Sequence, residues 1–178
     1  MNGGVVIVNG PTSSGDGAID YDGSFAMDGG TLIAVGSSGM AQSTSGGLQA
    51  AVSFRLNKSL SAGQCICIKD NDGNVLAAFT LKKNCSSVVF SSAEIANGSS
   101  YTLLSGGSAS GESEDGLYMG NVSYSGGSTA ATAKASTGNG NTQDPGGFDG
   151  GSGDLWSRIV EFFNRIINTI KKFFGINA

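Results

Sequence analysis

Asp20 and Asp22 flank Tyr21, and Asp16 and Asp28 lie close on either side. If residues 18–22 form a strand, the side chains of Asp20 and Asp22 point to one face, because side-chain direction alternates with period two. Hard carboxylate oxygens gathered in this way suit a calcium ion. The bland alternative is a set of turn-forming aspartates on a solvated face. No Asp-x-Asp-x-Asp-Gly loop with a closing Glu exists, so an EF-hand is excluded. Asp70-Asn71-Asp72 reads as turn chemistry. Tyr21, Tyr118 and Tyr124 are candidate sugar platforms, since an aromatic ring offers an apolar face to pyranose C–H groups; the alternative for each is buried packing.

Catalytic constellations are scarce. The chain has no His, so Ser–His and Cys–His nucleophile pairs are impossible. A lyase needs a base near the α-proton of a bound uronate, and Arg55 is the only Arg before residue 154. A glycosidase needs two facing carboxylates, and nothing places Asp20 and Asp22 across a cleft. The expectation is a non-enzyme. Cys65, Cys67 and Cys85 include no Cys-x-x-Cys pair, and with no His a zinc site is disfavoured. In a strand, Cys65 and Cys67 point to one face about 6.5 Å apart, poorly placed to bridge each other; the open alternatives are a disulfide from Cys85 to one of them, which leaves a free thiol, and three small buried hydrophobes.

The elements that must carry these residues are read from composition and pattern. Gly supplies 30 of 178 residues and charged types only 13%, against norms of about 7% and about 25%. That balance predicts short strands joined by tight turns. The net charge of −4 divides unevenly: residues 1–153 carry −6 and residues 154–178 carry +2. An acidic body argues against nucleic acid, which needs a basic stripe to neutralise phosphates.

Residues 3–10 and 29–36 are two octamers, each a Gly-Gly pair followed by a β-branched run, offset by 26. Between them, 18–22 and 24–28 read as two short strands split by Gly23. Three short strands per turn is the pattern of a parallel β-solenoid, assigned to residues 1–47. From residue 48 to 136 the pattern becomes an antiparallel β unit packed on the coils. Ala51–Leu56 alternates, and 65–69 and 75–81 flank a hairpin signal at Asp72-Gly73. Residues 87–91 and 101–104 continue the meander. Residues 93–98 suggest one helical turn, 116–126 a tight hairpin, and 129–135 a last strand. Residues 137–153 are Gly-rich and read as a flexible linker.

Residues 154–175 have the strongest local pattern. Leu155, Ile159, Phe162, Phe163, Ile166, Ile170, Phe173 and Phe174 follow the 3.6 period of an amphipathic α-helix, with Arg158, Arg165, Lys171 and Lys172 on or beside the other face. Such a helix docks on its own domain, binds a protein partner or lies on a membrane surface. These alternatives stay open.

Several blocks carry a family resemblance: Gly4-Val-Val-Ile-Val-Asn-Gly-Pro-Thr12, Gly17-Ala-Ile-Asp-Tyr-Asp-Gly-Ser-Phe25, residues 29–42, Val88-Val-Phe-Ser-Ser92, Asp115-Gly-Leu-Tyr118 and Tyr124-Ser-Gly-Gly127. In order and spacing, residues 1–136 resemble the bacterial secreted carbohydrate-binding-domain proteins common in Clostridia and other Firmicutes. The resemblance implies a right-handed parallel β-helix of the pectate-lyase-like type, secretion, calcium at acidic coil corners, and binding of polysaccharides such as cellulose or pectin. The family has further coils before the Gly-Pro-Thr block. The expectation is therefore a secreted or cell-surface protein whose natural start lies upstream of Met1. The competing expectation is a structural or adhesive surface protein attached through its terminal helix.

Overall fold

The computed structural model describes residues 1–138. These residues are all-β, with ten strands and no helix. The strands are β1 (Asn2–Asn9), β2 (Gly29–Gly36), β3 (Ala51–Leu60), β4 (Cys65–Lys69), β5 (Val75–Thr80), β6 (Cys85–Ser91), β7 (Ser100–Ser110), β8 (Ser113–Glu114), β9 (Leu117–Met119) and β10 (Ser123–Ser136). They form one sheet in the order β1-β2-β6-β3-β10-β7-β4-β5-β9-β8. The sheet curls into a half-barrel, so that Val5 at one edge and Glu112–Glu114 at the other line a common groove.

The octamer repeat is a physical pairing. β1 and β2 run parallel, with Val5 beside Thr31 and Val8 beside Ala34, which reproduces the sequence offset of 26. Every other strand pair is antiparallel. The segments after β1 and β2 also run side by side. Gly10 N–H donates to Val35 O at 2.8 Å, Ser37 N–H to Pro11 O at 2.9 Å and Met27 N–H to Gly46 O at 2.9 Å.

Alternation sorts the apolar residues between two faces. Ile33 and Val35 of β2 join Val52, Phe54, Ile66, Phe79, Val88, Phe90 and Leu103 inside the half-barrel. Leu32 and Ala34 of the same strand face the other way, with Val89 and Ala51, onto Ile19 and Met27 of the segment that follows β1. Arg55 holds the second segment down, donating to Ser38 O at 2.7 Å and Ala41 O at 3.0 Å. A third cluster, Cys65, Cys67 and Ala78, lies on the opposite face of the far strands.

Several expectations are corrected. Residues 18–22 and 24–28 form no strands; only Ala26 makes a bridge, to Gly46. Side chains take the backbone donors there instead: Tyr21 N–H donates to Gln42 Oε1 at 3.0 Å and Phe25 N–H to Ser45 Oγ at 2.8 Å. Residues 93–98 are successive turns without a helical turn. Their bonds, Ile95 N–H to Ser92 O and Ser99 N–H to Ala96 O, each span three residues and do not propagate. The hairpin expected over 116–126 is displaced. Its turn is Asp115-Gly116, joining β8 to β9, and residues from Ser123 belong to the 14-residue β10. The antiparallel strands continue the β1–β2 sheet edge to edge through β6. The linker expected over 137–153, but for its first two residues, and the helix expected over 154–175 with the face Leu155, Ile159, Phe162, Phe163, Ile166, Ile170, Phe173 and Phe174 lie outside the described residues.

Candidate functional site

The four aspartates do not converge. Asp16, Asp20, Asp22 and Asp28 are all exposed, and among the described residues no group of three or more acidic, Cys or His side chains is placed to hold a metal. Without a strand at 18–22, no pleat sets Asp20 and Asp22 side by side. Asp28 is used locally: its Oδ1 accepts from Leu48 N–H at 3.0 Å. Asp70 likewise closes its own turn, accepting from Asp72 N–H, Asn74 N–H and the Asn74 side-chain amide. That amide, helped by the turn N–H groups, holds the Asp70 carboxyl below the usual carboxylate range.

The three tyrosines have three environments. Tyr21 is a packing residue. Its hydroxyl donates to Ser43 O at 2.9 Å, and its ring meets Phe25 edge-on with centroids 6.1 Å apart. Beside it lies an open apolar depression of about 360 Å³ with Val6, Val8 and Ile19. Tyr124 reaches over Gly107 of β7. Its Oη accepts from Gly107 N–H at 3.0 Å, and a Cβ at Gly107 would stand 2.5 Å from its Cζ. Glycine is required there because the ring occupies the space of a side chain. Burial pushes the Tyr124 hydroxyl above the usual phenol range.

Tyr118 is different. It sits in the three-residue β9, opposite Ala78 of β5 and Ser113 of β8. Its ring is half-buried against Cys65, Cys67 and Ala78. Among the described residues no protein group hydrogen-bonds its hydroxyl. It borders an open depression of about 460 Å³ that also takes in Gln64, Thr80, Ser108 and the Gly106-Gly107 backbone. Tyr124 and Tyr118 pack on the same cluster, so two of the three proposed platforms share a face. Tyr21 belongs to the other core cluster.

Comparison with protein-family models, curated proteins and solved structures returned no match. The chemistry of the depression must therefore be read from its own groups. An aromatic ring, a side-chain amide, two hydroxyls and small glycines make a surface that hydrogen-bonds neutral polar ligands. Among the described residues no charged side chain lines it.

The thiols beneath are not reactive centres. Cys65, Cys67 and Cys85 are all free and buried. Cys65 and Cys67 share one face, while Cys85 lies in the half-barrel core, so no pair is bridged. Burial pushes Cys67 and Cys85 up to about 11 and raises Cys65 as well, which suppresses the thiolate needed for chemistry. Sequence reasoning missed Gln64, Thr80 and Ser108, which come from three separate segments. The glycine pairs 106–107 and 126–127, facing each other across β7 and β10, were the signal available for a cleared surface.

Proposed function

We propose that this chain is a non-catalytic polysaccharide-binding module of the extracellular kind that the family resemblance implies. The observation that carries the reading is Tyr118, a half-buried ring whose hydroxyl has no protein partner among the described residues, beside a polar, open depression. Pyranose C–H faces stack on such a ring, and ring hydroxyls exchange hydrogen bonds with the side chains of Gln64, Thr80 and Ser108. An open depression suits a chain that passes through it, as a polysaccharide does. The parallel β1–β2 pair and the two aligned segments behind it support the finer reading of these residues as coils of a right-handed parallel β-helix. Calcium at Asp16, Asp20, Asp22 and Asp28 remains an implication of the resemblance alone.

Affinity electrophoresis through gels containing soluble cellulose, pectin or polygalacturonate, with and without a chelator, tests this. Retardation on at least one polymer is expected, with Tyr118→Ala abolishing it and Tyr21→Ala preserving it. Retardation lost on chelation assigns a role to calcium. A protein that runs unretarded on every polymer is not a module of this type.

A further inference from the structure

The two edges of the curled sheet are built differently. β8 is two residues long and carries Glu114 beside Glu112, which is how an edge is guarded against pairing. β1 is eight residues long, Asn-Gly-Gly-Val-Val-Ile-Val-Asn, with no charge and no proline. Among the described residues no strand pairs with its outer side. Val5 and Val6 are 52% and 41% exposed, although the equivalent apolar run in β2 is buried. Gly10 N–H points at β2, so by alternation the amides of Asn9, Ile7 and Val5 point outward. The bond from Lys83 Nζ to Asn9 O, 3.1 Å long, agrees with that direction.

We propose that β1 is the interface of a two-fold dimer, in which the β1 strands of two copies pair antiparallel and join their sheets. The strand is self-complementary in register. A two-fold axis normal to the sheet at Val6 sets Val5 opposite Ile7 of the partner subunit, both with outward-facing amides. Residues of like parity then meet, so the apolar faces of the two strands coincide. Charge is self-complementary too. Lys83 stands at the C-terminal end of β1, while Glu112 and Glu114 share the groove beside Val5. Antiparallel pairing brings the lysine of each copy toward the glutamates of the other. The same kind of octamer in β2 already carries an antiparallel apolar neighbour, with Ile33 opposite Phe90 of β6.

Sedimentation velocity on the full 178-residue chain tests the proposal. A dimer is expected at about 50 µM protomer, dissociating on dilution. Val5→Lys places a charge on an exposed edge position, and is expected to yield a monomer with unchanged circular dichroism and melting. Lys83→Glu is expected to weaken the dimer about tenfold, and adding Glu112→Lys with Glu114→Lys to restore it. A wild-type chain that stays monomeric overturns the proposal. So does a dimer that survives Val5→Lys, because association then lies elsewhere in the chain.

Discussion

At the scale of single residues, Tyr118 and Tyr124 show how one residue type serves two ends. Tyr124 has its hydroxyl satisfied by Gly107 and its ring spread over the glycine, so it acts as part of the sheet. Gly107→Ala forces a Cβ into that ring and is expected to cost about 1–3 kcal/mol by overpacking. Gly46→Ala, where a Cβ meets open space, serves as the control with little change in urea midpoint. Equal loss in both would mean that the ring is not seated as described. The thiols make a pH prediction of definite sign. Cys67 and Cys85 have folded-state values near 11 against 9.0, so the unfolded chain releases their protons first. Their stabilising contribution is complete below pH 9 and is lost as pH rises through 11. The urea midpoint should fall across that window, and Cys67→Ser should flatten its slope. A slope unchanged by the substitution would show that other groups govern it. In native protein, a thiol reagent at pH 8 should label all three cysteines slowly, and quickly only after denaturation.

At the scale of elements, the short β8–β9 hairpin positions Tyr118, and its turn decides where the ring lies. Asp115 and Gly116 both have positive φ, 50° and 89°, the two-residue combination that matches hairpin twist. Asp115 is the one non-glycine residue among those described with positive φ. The nearby Lys82–Asp115 ion pair, at 3.0 Å, has both side chains more than half exposed and contributes little after solvent screening. Backbone conformation should therefore outweigh charge. Gly116→Ala, also close to Thr80 O at 3.2 Å, is expected to cost about 1–2 kcal/mol and to weaken polysaccharide retardation. Lys82→Ala is expected to change melting and retardation hardly at all. A larger effect from Lys82→Ala than from Gly116→Ala would reverse this ranking. The turn also marks the boundary of what the sequence made legible. The octamer repeat, the Asp72-Gly73 hairpin and the alternation of 51–56 are local patterns that the structure keeps. The Asp115-Gly116 turn carries the same signal, but residues 116–126 read as a tight hairpin a few residues later. Residues 18–28 had strand-like composition, yet Gln42 and Ser45 take the backbone N–H groups of Tyr21 and Phe25 from 21 and 20 residues away, which no local pattern reports. The depression at Tyr118 draws on Gln64, Thr80 and Ser108, and only the strand order β7-β4-β5-β9 brings them together.

At the scale of the whole described body, the question is whether the β1–β2 region and the antiparallel strands are one cooperative unit. They share strands as well as touching. β2 sends Ile33 and Val35 into the half-barrel and Leu32 and Ala34 into the cluster with Ile19 and Met27. β6 does the same with Val88 and Phe90 on one side and Val89 on the other, and β3 with Val52 and Ala51. Removing either cluster exposes one face of the same three central strands, so neither core can melt while the other stays intact. Leu32→Ala opens a cavity in the smaller cluster and is expected to cost about 2–5 kcal/mol; Phe54→Ala in the larger one is expected to cost about 3–5 kcal/mol. Both should move one and the same unfolding transition. Native-state hydrogen exchange gives the decisive readout. Amides of β2 and β6 should exchange only through global unfolding in both variants, their protection falling by the full loss of stability. The outward amides of β1 lie on an unpaired edge and should exchange faster by local opening at any concentration where the chain is monomeric. If Leu32→Ala lowered protection around β2 but left β7 and β10 untouched, the two cores would be separate folding units. The parallel pair would then be an appendage to the half-barrel and not its continuation.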